Sequence, residues 1–122
     1  MADQIRFDPT RPVKVEIRAV TLTIFQFRAQ FRVPGSDFID FGSGGDDDNV
    51  SESLFRTILP ATHQSFTDLR VTFLVSGKAK RPYRILVGLS QDGRSLADPL
   101  VCDGEINSNE EMVLDKVEAL LV

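Results

Sequence analysis

The span Val13 to Val33, VKVEIRAVTLTIFQFRAQFRV, holds no Gly and no Pro and is dense in β-branched and aromatic residues. Such a run forms strand, because branched and aromatic side chains fit a pleated, half-buried surface. Val13, Val15, Ile17 and Ala19 alternate with Lys14, Glu16 and Arg18; Phe25, Phe27, Ala29, Phe31 and Val33 alternate with Gln26, Arg28, Gln30 and Arg32. Between these runs Val20, Leu22 and Ile24 fall on even positions, the pattern of a bulge, a bend, or a segment covered on both faces. One straight strand of this length would reach roughly 70 Å at about 3.3 Å per residue. Two strands, or one sharply bent strand, are therefore expected.

The rest of the chain reads as more strand, with two helix signals. Pro34 to Asp37 make a turn, and FIDF, Phe38 to Phe41, is a short strand candidate. Residues 42–49, GSGGDDDN, read as a flexible acidic loop. Asn49 with Glu52 approximates a capping box, and Val50, Leu54, Phe55, Ile58 and Leu59 share one helical face before Pro60, so a helix is predicted over about 50–59. Leu69, Val71, Phe73 and Val75, then Tyr83, Ile85, Val87 and Leu89, predict two strands that pair antiparallel around Ser76-Gly77-Lys78. Asp92-Gly93 is a turn signal and Leu100 to Cys102 a further short strand. In the tail, Ser108 with Glu111 and the residues Met112, Val113, Val117, Leu120 and Leu121 fit a helix over 109–121, although a closing strand fits too. With 122 residues the expectation is a single mainly β or α+β domain, an antiparallel β-sandwich-like sheet over 13–122 behind an N-terminal extension, 1–12.

The chemistry of the side chains narrows function by exclusion. His63 is the sole histidine and lies in the polar loop ATHQSF, so catalysis by a nucleophile–base pair or a His-based metal site has little to draw on, and no enzyme is expected. Cys102, the sole cysteine, excludes an internal disulfide and reads as a small buried apolar residue. GSGG is not followed by Lys-Ser or Lys-Thr and is no phosphate loop. Asp46, Asp47 and Asp48 are hard oxygen donors and the candidate Ca²⁺ site, but adjacent carboxylates lack the alternating ligand positions of an EF-hand; no other cofactor is expected. A net charge of −4 gives no general attraction to nucleic acid. No apolar run of about 18 residues and no basic-then-apolar leader stands out, so a soluble, cytoplasmic protein is expected.

The sharpest functional expectation is a non-catalytic protein–protein interaction or self-assembly domain, forming a homo-oligomer or binding another protein. The candidate binding residues are Val20, Leu22 and Ile24, apolar on the face opposite their neighbours, and the basic cluster Lys78, Lys80, Arg81 and Arg84 around Tyr83, opposite in sign to the acidic tail. The alternative is a small-ligand, carbohydrate or Ca²⁺-binding sandwich module, against which stands a chain with no Trp and one Tyr. Asp8-Pro9-Thr10, Gly42-Ser43-Gly44-Gly45 and Arg81-Pro82-Tyr83 resemble, in the same order, degenerate forms of the three loops of chagasin-like cysteine-peptidase inhibitors. That resemblance implies an immunoglobulin-like sandwich with an inhibitory end. The chain departs from it at Asp8, where the family has Asn, and at Arg11, where it has a second Thr.

Overall fold

The Val13 to Val33 span divides between two sheets, in a computed structural model that describes residues 3–20, 24–46, 54–77, 79–108 and 112–122. Ten strands are present: β1 Asp3–Ile5, β2 Val13–Ala19, β3 Ile24–Arg32, β4 Ile39–Asp46, β5 Leu54–Leu59, β6 Thr67–Ser76, β7 Pro82–Gln91, β8 Arg94–Ser95, β9 Leu100–Glu105 and β10 Val113–Leu121. The front sheet has the order β1-β10-β6-β3-β4 and the back sheet β5-β2-β7, with β8 and β9 both on the far side of β7. The change of alternation around Val20 is thus the crossing from back sheet to front sheet. Odd positions face the core in both β2 and β3, and Val15, Ile17, Ala19 and Ala29 are fully buried.

Every other pairing of strands is antiparallel, while β1 runs parallel to β10 with Ile5 opposite Leu121. Residues 3–5 of the expected extension are therefore an edge of the front sheet, tied further by Val122 N–H to the Ile5 carbonyl and Phe7 N–H to the Val122 carbonyl. Between the sheets Phe25 meets Phe73 and Phe55 edge-on, at centroid distances of 6.2 and 5.8 Å. At Asp92 and Gly93, φ values of 50° and 79° give the two left-handed residues of a tight hairpin turn, with Gln91 opposite Arg94.

Four expectations are corrected here. Residues 54–59 are strand, not helix; residues 50–53 lie outside the described set. Leu54, Phe55, Ile58 and Leu59 are apolar on both sides of an edge strand, which at this spacing mimics a helical stripe. Residues 113–121 are the closing strand β10, with Val117, Ala119 and Leu121 buried and Leu114, Lys116 and Glu118 outside. Gly42 to Asp46 belong to β4 rather than a loop; residues 47–49 lie outside the described set. The glycines make room for inward side chains: a Cβ on Gly42 would fall 2.2 Å from Thr57 Oγ1 of the other sheet, and one on Gly44 2.9 Å from the Phe27 ring of the neighbouring β3. Finally, β6 and β7 are not paired. They face each other across the core, β6 between β10 and β3, β7 beside β2. Alternation tells which side of a strand is buried and is silent about its lateral neighbour.

Candidate functional site

Three places on the sandwich combine polar chemistry with defined geometry. The first joins the sheets at the β9/β10 corner. Tyr83, inward from β7, donates from Oη to Asp115 Oδ2 at 2.8 Å, and Cys102 of β9 lies beside the same carboxylate. Tyr83 and Cys102 are both buried, and Gly104, opposite Tyr83, leaves the space that the phenol occupies. Burial, then the Asp115 hydrogen bond and charge, push the Tyr83 phenol well above its ordinary range; burial, then the Asp115 charge, do the same for the Cys102 thiol. A thiol held protonated is a poor nucleophile, and the hydrogen bond from Tyr83 to Asp115 ties the two sheets together at this corner.

The linkage has a definite sign. In the unfolded chain Tyr and Cys ionise near their usual values of about 10 and 8.5. The folded chain keeps both protons to higher pH, so stability from this corner is complete below about pH 8.5 and falls as pH rises through and above those values. In absorbance titration the one tyrosine should therefore ionise only above the free phenol's range, together with loss of the folded signal. A thiol reagent should find no reactive group in the native protein and one in denaturant. A normal Tyr83 titration in folded protein would refute the buried hydrogen bond.

The second place is the outer face of the front sheet, a shallow trough of about 1140 Å³. Register sets Ser43, Arg28, Thr72 and Lys116 in one cross-strand row and Gln30, Arg70 and Glu118 in the next. Arg70 donates twice to Gln30 Oε1, at 3.1 and 2.7 Å, and stacks 3.8 Å from the Phe38 ring centre. Its neighbours are ion-paired: Arg32 with Asp68 at 2.9 Å, Lys116 with Glu118 at 3.2 Å, and Arg28 with Asp40 at 3.8 Å. Arg70 has no carboxylate within ion-pair distance among the described residues.

The third place is the outer face of the back sheet. Leu54, Arg18, Leu86 and Val101 form one row across β5, β2, β7 and β9. Val20 stands beside this row just past the end of β2, and Ile58, also exposed, lies on β5 beyond the Arg56–Glu16 pair. Ion pairs border it: Arg56–Glu16 at 3.6 Å, Lys14–Glu16 at 3.4 Å and Arg84–Asp103 at 3.2 Å.

The sequence-derived binding residues are split by this geometry. Val20 N–H donates to the Arg84 carbonyl at 3.0 Å, so Val20 and Arg84 do meet, with Asp103, beside a shallow dent. Tyr83 is turned into the core instead of standing among the cations. Lys80 and Arg81 hold the strand end through backbone bonds to Ile106, at 2.6 and 3.1 Å. Leu22 and Lys78 lie outside the described residues, as do Asp47 and Asp48; Ile24 pairs with Ser76 and Asp46 with Phe25 through backbone. The opposite charges expected to meet between molecules meet partly within one, at Arg84–Asp103. His63 sits on the surface at φ 55° and donates its N–H to the Pro9 carbonyl at 2.9 Å.

The arrangement also separates the three inhibitor-like pieces. Asp8 accepts from Thr10 N–H and Oγ1, at 2.9 and 2.6 Å, which lowers its pKa, and Arg11 pairs with Asp92 beyond the C-terminal end of β7. Gln91 fastens that loop through three bonds, to Asp8 N–H and to the Asp8 and Arg11 carbonyls. Arg81-Pro82-Tyr83 lies at the other end of β7, about 30 Å away by strand rise. Gly42–Gly45 lies within β4, opposite Gln26 to Ala29 of β3, and with the first and third pieces at opposite ends of β7 the three do not make one inhibitory end.

Among the described residues no helix is long and apolar enough to cross a membrane. No family model matches the chain, and no curated protein matches it in sequence. Among solved structures it is similar to a domain of unknown function, DUF4425, from Bacteroides vulgatus ATCC 8482, with 11% identity over 92% of this chain and 97% of that one and a TM-score of 0.53. At that identity the likeness concerns the fold alone: the mainly β, two-sheet architecture described above.

Proposed function

We propose that the chain is a non-catalytic association domain that binds another protein or a second copy of itself through the back sheet. The observation that supports this is the row Leu54, Arg18, Leu86, Val101, with Leu54 43% and Val101 50% exposed on a sheet whose inner face is already core. A one-sided antiparallel sheet ordinarily alternates apolar inside and polar outside. Here a mainly apolar row, interrupted by Arg18, is edged by ion pairs, the composition of an interface with a polar rim. Sedimentation over a wide concentration range, in low and high salt, should show species heavier than one chain. Val101→Lys should weaken association with an unchanged circular dichroism spectrum. A strict monomer in both salts, with no stoichiometric protein partner, would remove this reading.

A second reading has its own support. Arg70, oriented by Gln30 and Phe38 and with no carboxylate within ion-pair distance among the described residues, is suited to a small anionic ligand in the front trough, a uronic acid or phosphate group. Calorimetric titration with glucuronate, phosphate and Ca²⁺ separates the classes. Heat from an anion that Arg70→Gln abolishes favours the ligand module.

A further inference from the structure

We infer that the back sheet continues into that of a second copy, β5 pairing antiparallel with its own symmetry mate about a two-fold axis at Arg56. This rests on the association reading above and names its partner and surface. The starting observation is how unequal the sheet edges are. A free edge strand is a template for another strand, and soluble proteins blunt it with glycine, charge, bulges or brevity. β1 has three residues and β8 two. β4 carries Gly42, Gly44 and Gly45, Asp40 and a register shift opposite Ala29/Gln30. β9 carries Asp103, Gly104 and Glu105. β5, Leu-Phe-Arg-Thr-Ile-Leu, has no glycine, proline or acid and a single charge, Arg56, and among the described residues only β2 pairs with it.

The hydrogen-bonding parity of that edge follows from β2. Val20 N–H donates to the Arg84 carbonyl in continuation of the β2–β7 register, so Arg18, Glu16 and Lys14 also direct their backbone groups to β7. Val13, Val15 and Ile17 must then bond to Leu59, Thr57 and Phe55. The N–H and C=O groups of Leu54, Arg56 and Ile58 consequently point to the open edge. A two-fold axis perpendicular to the sheet pairs residues of equal parity, keeping outward side chains on one face. Centred on Arg56, it sets Leu54 opposite Ile58 of the second copy, Ile58 opposite Leu54, and Arg56 opposite itself, giving about six backbone hydrogen bonds. Moving the axis to Thr57 would set Leu54 opposite Pro60, which has no N–H to give. The Arg56 register also sets the exposed Leu54 of each copy against the exposed Ile58 of the other, one apolar pair on either side of the axis. Its unfavourable element is Arg56 facing Arg56, each turned toward its own Glu16 at 3.6 Å. Salt should therefore tighten the dimer, and Arg56→Thr should tighten it further.

Sedimentation equilibrium and cysteine cross-linking of the full chain test the assignment. Wild type should be a dimer. Arg56→Pro should be monomeric with native circular dichroism, because its N–H faces the open edge and no β2–β5 bond is lost. Arg56→Cys should give a disulfide-linked dimer on copper-phenanthroline oxidation, since directly hydrogen-bonded pairs have Cα atoms about 5.5 Å apart. Thr57→Cys should not. If wild type is dimeric while Arg56→Pro remains dimeric and Arg56→Cys fails to cross-link, the β5 assignment is overturned and association through another surface stands. If wild type is monomeric at every concentration, both fall. Should Arg56→Pro fail to fold, the contrast between the two cysteine variants decides alone.

Discussion

Phe25→Ala is expected to lower the unfolding free energy by about 3–5 kcal/mol. Phe25 is 1% exposed and is the ring where both sheets meet, edge-on to Phe73 of β6 and to Phe55 of β5. Truncation removes its transfer energy and leaves a void. Gly44 on the neighbouring β4, facing Phe27 and Phe55, brings no side chain to fill it, and the surrounding rings are held by their own strands. Against a total stability of about 5–15 kcal/mol for a domain of this kind, the variant should be close to the limit of folding. Urea unfolding followed by circular dichroism should show a much lower midpoint with little change in slope. A loss under about 1 kcal/mol would mean that the two sheets are not clamped together at this ring.

Gly104→Ala should give the second largest effect, about 1–3 kcal/mol, typical of forcing one methyl group into a filled space. A Cβ there would lie 2.5 Å from Tyr83 Oη and 2.8 Å from Cζ, too close for the phenol to stay. Displacing the ring breaks its bond to Asp115 and opens the corner over Cys102. The thiol, silent in the parent, should become titratable in the folded variant, a readout distinct from stability. In a Tyr83→Phe background the same change should cost less, because the nearest clash has been deleted; additivity of the two changes would contradict the placement.

Legibility in the sequence follows the range of the interaction. Alternation in β2, β3, β6 and β7, the Asp92-Gly93 turn and the burial of Cys102 depend on nearest neighbours and on composition, and they can be read directly. The mainly β fold follows from them. Residues 54–59 mislead because an edge strand apolar on both faces has the spacing of a helical stripe. The glycines from 42 to 45 look like a loop until Phe27, Phe55 and Thr57 are set over them from other strands. The Tyr83–Asp115 bond joins residues 32 apart, and the Arg70–Gln30 clamp residues 40 apart, with no motif between them. The row Leu54, Arg18, Leu86 and Val101 is not legible in the letters, because it depends on which strands become neighbours; Leu22 lies outside the described residues.

The parallel pairing of β1 with β10 has a kinetic consequence. Residues 3–5 find their partners at 119–121, after every other strand of both sheets has appeared in the chain. The loop to be closed for that ladder is nearly the whole polypeptide, and such closure is entropically favourable only once the intervening strands have condensed. Refolding should accordingly be slow, in the millisecond-to-second range usual for all-β sandwiches, with amide protection at residues 3–5 among the last to develop.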